Sequence, residues 1–125
     1  MESLAPNIFV YDMNQTIAFY KKLDFELTMT VPEQGDYVWA MMNNGSVTFM
    51  FQTFTSLQTD LPEIKRATGA PLLFYIRLKN IRSFFETLQQ QQVTILKGLE
   101  KTFYGATEFS IADNNGFVLT FAEDE

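Results

Sequence analysis

The sequence predicts an α+β fold made of two βαβββ modules in tandem. Three observations carry that expectation. First, Met13, Thr16, Ile17 and Tyr20 stand at i, i+3, i+4 and i+7, and Ile81, Phe84, Phe85 and Leu88 repeat the same offsets, so one apolar helical face occurs twice. Second, β-rich segments surround each helical face in the same order. Third, the text itself repeats. Asp12-Met13 matches Asn80-Ile81 at an offset of 68, and Phe25 and Leu27 match Val93 and Ile95 at that offset. Asn43-Asn44-Gly45-x-Val47 matches Asn114-Asn115-Gly116-x-Val118 at 71, so a three-residue slip in one loop reconciles the two.

The elements follow in order. Asn7 to Tyr11 reads as a strand, and Asp12 or Asn14 supplies a helix cap. Glu26 to Val31 alternates weakly, and Pro32 to Asp36 turns the chain. Tyr37 to Met42 and Val47 to Thr53 read as strands joined by Asn43-Asn44-Gly45, residues that tolerate positive φ. Thr55 to Thr68 is polar, contains Pro62 and reads as a short helix and linker. The pattern then restarts: a strand at Leu72 to Leu78, the second helix, and strands at Val93 to Leu96, Glu108 to Ala112 and Phe117 to Ala122. The four-Gln run at Gln89 to Gln92 reads as a solvated helix end. Residues 1–125 are expected to form one domain, with modules at about 4–54 and 70–125 and a linker at 55–69.

Composition narrows the chemistry. The chain has 125 residues, 46% of them hydrophobic, enough to fill a core. Its 13 Phe suit core filling and an aromatic-lined cavity alike. The net charge of −6 repels phosphate backbones and argues against a nucleic-acid partner. There is no Cys, which removes disulfides, thiolate ligands and a thiol nucleophile. There is no His, which removes the commonest metal ligand and general base and makes a Ser-His-Asp triad impossible. The start, MESLAPNIFV, lacks a basic region followed by an apolar stretch, and no apolar run approaches the ~20 residues that span a bilayer. A cytoplasmic protein without membrane contact is the expectation.

Pro6 to Asp12, followed by Ala18-Phe19-Tyr20-Lys21-Lys22-Leu23-Asp24-Phe25, resembles the opening of vicinal oxygen chelate proteins, the superfamily of glyoxalases, bleomycin-resistance proteins and dioxygenases. Asp24 stands where those proteins usually carry Gly. Phe103 to Glu123 is similar to the closing motif of the same superfamily, with Asp113 to Gly116 where Asp-Pro-Asp-Gly is usual. The resemblance implies that the modules lie side by side, each curling a sheet around a cleft with a helix outside. It also implies a homodimer.

In catalytic members of the superfamily, a divalent ion is held by one side chain on the first and one on the last strand of each module. The ion polarises substrate oxygens. Carried over, those positions fall on Ala5, Leu73, Phe49 and Thr120, of which only Thr120 has a side-chain donor atom. The resemblance therefore implies no metal and no other cofactor here, closest to the metal-free bleomycin-resistance members. Loss of those positions weighs against catalysis.

If Phe49 and Thr120 face the cleft, strand alternation also brings Val47, Phe51, Val118 and Ala122 there. The expected ligand-binding set is Phe9, Tyr37, Trp39, Phe49, Phe51, Tyr75, Arg77 and Glu108, with Tyr104 at the rim. Aromatic walls suit a flat or cationic small organic molecule. Arg77 and Glu108 are expected to pair with each other or with that ligand. Two other readings stay open: a lyase-, isomerase- or dioxygenase-type enzyme with a non-standard site, and a structural or partner-binding protein whose cleft is plugged by side chains.

Overall fold

The computed structural model describes residues 1–125. Its contacts divide the chain into two compact units, Met1–Ala67 and Thr68–Glu125.

The first unit holds β1 (Asn7–Val10), α1 (Met13–Lys22), β2 (Glu26–Val31), β3 (Trp39–Asn44), β4 (Val47–Thr53) and the single turn α2 (Phe54–Leu57). The second holds β5 (Leu73–Arg77), α3 (Ile81–Gln90), β6 (Thr94–Lys101), β7 (Ala106–Ala112) and β8 (Val118–Asp124). The sheet orders are β1-β4-β3-β2 and β5-β8-β7-β6. In each, the first strand runs parallel to the last and the other pairs are antiparallel. The βαβββ order thus occurs twice with one topology.

Each helix forms because one stripe of its surface is apolar. Met13, Thr16, Ile17 and Tyr20 of α1 are buried at the expected spacing. Tyr20 is wholly enclosed and meets the rings of Phe25, Phe49 and Phe51 at 5.6, 5.3 and 4.9 Å. In α3, Ile81 and Leu88 are buried, Phe84 contacts Phe109 and Phe121, and Phe85 contacts Phe109. Both helices end on a left-handed non-glycine residue, Asp24 at φ 64° and Gln92 at φ 59°. Gly adopts that conformation freely, whereas a Cβ is costly in it.

The helix starts differ. Asp12 caps α1, its Oδ1 accepting from the Gln15 amide at 3.0 Å. Asn80, before α3, is itself left-handed and gives no side-chain cap. Instead the carboxylate of Glu123 on β8 accepts from the amides of Asn80 and Ile81 at 3.1 and 3.0 Å. Those two bonds, chiefly the one from Ile81, hold the Glu123 carboxyl below the usual carboxylate range.

The two hairpins carry the same Asn-Asn-Gly text but not the same turn. Asn44 pairs with Val47, leaving the two residues Gly45 and Ser46 between β3 and β4. Ala112 pairs with Val118, so residues 113–117 separate β7 from β8. There Asp113 is buried, and its Oδ1 accepts from the amides of Asn115 and Phe117, both at 2.8 Å.

Candidate functional site

Turn length decides which side chains each sheet turns toward its helix. Met50 lies opposite Asn7, and Thr120 lies opposite Tyr75. The equivalent positions of β4 and β8 are therefore 70 apart, not 71. A one-residue slip sends every side chain of a strand to the other face. This corrects the expected placement of Phe49 and Phe51. They are 2% and 0% exposed, packed against Tyr20 beneath α1, and Val47 shares their side of β4. The face of the first sheet turned away from α1 instead bears Asn7, Phe9, Trp39, Met41, Thr48, Met50 and Gln52 by register.

The remaining first-unit candidates stay on or beside this face. Phe9 and Trp39 are half-buried, and each lies opposite Gln52. Tyr37 is half-buried in the loop before β3 rather than in a strand. Strand β2 adds exposed Met29 opposite Met41 and exposed Val31 opposite Trp39, two residues that sequence reasoning passed over. A shallow groove of about 610 Å3 runs along Thr28–Glu33. The polar residues of the face satisfy one another in part: Asn7 Nδ2 donates to Gln52 Oε1 at 2.9 Å, and Gln52 Nε2 donates to Ser56 Oγ at 3.2 Å. Asn7 Oδ1 is buried without a partner.

In the second unit, the face turned away from α3 carries Tyr75, Arg77, Glu108, Ser110, Thr120 and Ala122, as strand alternation predicts. Glu108 is its centre. The hydroxyls of Tyr75 and Tyr104 both donate to Glu108 Oε2, at 2.5 and 2.6 Å. Tyr104 reaches it from the turn between β6 and β7. The bond to the carboxylate, with desolvation and the negative charge adding to it, pushes the Tyr75 phenol up to about 12. The same bond raises the Tyr104 phenol. Both rings are partly exposed, at 43% and 57%.

Arg77 and Glu108 do not pair with each other. Arg77 Nε lies 3.3 Å from Asp124 Oδ2, and its guanidinium sits 5.5 Å from the centroid of the Tyr75 ring. Lys97 Nζ lies 2.6 Å from Glu100 Oε1. Ser110 and Thr120 share a hydrogen bond of 2.8 Å between their hydroxyls.

The divalent ion of catalytic relatives needs carboxylate, imidazole or thiolate donors. On the first and last strands of each unit, the faces turned from the helices offer Asn7, Phe9, Thr48, Met50 and Gln52, then Leu73, Tyr75, Arg77, Val118, Thr120, Ala122 and Asp124, the last already paired with Arg77. The Gln52 oxygen already accepts from Asn7, and Thr120 is bonded to Ser110. Glu123, the nearest carboxylate along β8, caps α3 instead. No three His, Cys, Asp or Glu side chains are grouped anywhere in the chain. These residues do not fit that ion.

The family model of the Glyoxalase/Bleomycin resistance protein/Dioxygenase superfamily matches residues 4–121. The chain belongs to that superfamily. Solved structures agree in fold. TioX from Micromonospora sp. ML1 is 14% identical over the whole of both chains, with a TM-score of 0.79. A bleomycin resistance determinant encoded on transposon Tn5 is 20% identical, covering all of this chain and 99% of that one, with a TM-score of 0.70. A bleomycin-binding protein complexed with bleomycin is 20% identical over the whole of both chains, with a TM-score of 0.69. No curated protein sequence matches the chain significantly. No helix is long and apolar enough to cross a membrane.

Proposed function

We propose that this superfamily member binds a small organic molecule without a metal ion, on a sheet face turned away from its helix, that of the first unit or that of the second. The observation that carries the reading is the chemistry of those faces. The strands that would bear metal ligands carry amides, thioethers, rings and a bonded hydroxyl, and Phe9, Trp39, Tyr75 and Tyr104 offer ring surface beside them. Rings and thioethers are polarizable and attract flat or cationic ligands. The solved bleomycin complex of a protein with this fold supports the class of ligand.

Catalysis by proton abstraction finds little support. A phenol raised to about 12 and already donating to a carboxylate is a poor general base at neutral pH. With the two rings already bonded to it, Glu108 is occupied as an acceptor on Oε2.

A homodimer fits the same reading. Met29 and Val31 on the edge strand β2, and Leu96 on the edge strand β6, leave apolar side chains exposed. Light scattering should return twice the chain mass; one chain mass at high concentration contradicts the dimer.

Trp39 is the sole tryptophan and reports on the first face directly. Aromatic compounds at micromolar concentration should quench or shift its fluorescence. A broad panel of neutral and charged aromatics with no effect would overturn the proposal.

A further inference from the structure

Three acidic side chains stand on the strands of the second unit's helix-averted face without forming one group. Asp124 is matched by Arg77, and Glu100, which lies opposite Glu108 across β6 and β7, is matched by Lys97. Glu108 makes no ion pair of its own; Lys97, bonded to Glu100, lies near enough to feel its charge but does not reach its carboxylate. Both of its hydrogen bonds come from neutral phenols and both fall on Oε2, which leaves Oε1 without a donor. The two rings whose hydroxyls hold the carboxylate are themselves partly exposed. A carboxylate keeps about four acceptor sites, so two phenols leave half of its capacity unused. Phenol rings attract a cation through their faces while the carboxylate attracts it through charge.

We propose that Glu108, framed by Tyr75 and Tyr104, is the anchor for the protonated amine of an organic ligand. This rests on the ligand-binding reading and names the chemical class the site selects. The ammonium group donates to Glu108 Oε1 and lies against the Tyr75 and Tyr104 rings, and the apolar remainder of the ligand extends from there. The phenols hold the carboxylate in one rotamer, so it loses little freedom on binding. The net charge of −6 raises the encounter rate of such a ligand and lowers that of anions. A neutral or anionic analogue of the same shape leaves Glu108 unmatched and gains only apolar contact.

The test compares three probes of matched size: 2-phenylethylammonium, 2-phenylethanol and phenylacetate. Binding is followed by calorimetry and by backbone amide shifts of Tyr75, Tyr104 and Glu108, alongside Trp39 fluorescence. The ammonium should bind the full-length protein at least tenfold more tightly than the alcohol and shift the amides of those three residues. Glu108→Gln should abolish that preference. Tyr75→Phe and Tyr104→Phe, which keep the rings and free the carboxylate, should preserve it within about threefold. Equal binding of ammonium and alcohol, or a preference that survives in Glu108→Gln, overturns the inference. If that happens while neutral aromatics still perturb Trp39, the broader ligand-binding reading stands. If no probe of any charge binds, both fall. A Glu108→Gln protein that loses melting temperature but keeps the ammonium preference assigns the cluster to holding the β6–β7 turn, which also overturns it.

Discussion

The two modules have one topology, but they secure their helices and furnish their free faces differently. Helix α1 is capped from inside its own turn by Asp12, and α3 is capped from β8 by Glu123, 42 residues away from Ile81. The first helix-averted face is apolar and amide-bearing, with Phe9, Trp39, Met41, Met50, Asn7 and Gln52; the second is charged and phenolic, around Glu108. A duplicated backbone plan thus fixes which strands pair and which helix covers them. It leaves each module free to place caps and polar groups by its own turn lengths.

The largest expected effect tests the face assignment. Phe51 sits wholly beneath α1, so Phe51→Ala should cost about 3–5 kcal/mol in chemical denaturation. A protein of near-native stability that has lost ligand affinity instead would put Phe51 back on the binding face. Next comes the local cap. Asp12→Ala removes the acceptor for the Gln15 amide and should cost about 1 kcal/mol, almost independently of the second module.

The remote cap sharpens the comparison through pH. The folded Glu123 carboxyl lies below its unfolded value, so its contribution is present above the unfolded pKa and is lost as pH falls through the folded one. Glu123→Gln should therefore melt a few degrees lower than the parent at neutral pH, and that gap should narrow once pH falls below the ordinary glutamate range and close as it passes through the lower folded value. A gap that stays constant with pH would contradict the charge-based cap. The smallest effect concerns the left-handed helix ends. Asp24→Gly and Gln92→Gly relieve a Cβ in the left-handed region and should each stabilise by up to about 1 kcal/mol in thermal melts. A loss of stability at both would show that their side chains make contacts that outweigh the strain.

Much of the plan was legible in the chain. The helical offsets of Met13, Thr16, Ile17 and Tyr20 and their repeat at Ile81 to Leu88 gave both helices. The 68-residue offset located β1 and β5 at equivalent register positions, so that Phe9, Tyr75 and Arg77 fall on the sheet faces turned away from the helices. The face of β4 was misread because identical letters, Asn-Asn-Gly, run from the end of β3 into a two-residue turn once and lie wholly inside a five-residue turn the second time. The difference lies in Asp113, whose side chain bonds two amides and lengthens the second turn. The Glu108 cluster was foreseen as a charged position but not as a phenol-clamped one. Tyr104 lies in an irregular turn, where alternation says nothing about direction. Glu123 as a cap was invisible, since its partners are 42 and 43 residues away.

The most direct measurement is Trp39 fluorescence titration with 2-phenylethanol and related neutral aromatics, before and after exhaustive chelation, with metal content measured on the same samples. Unchanged affinity, with no stoichiometric divalent ion in either sample, is the predicted result. A tightly held ion at one per chain, whose removal abolishes binding, would contradict it.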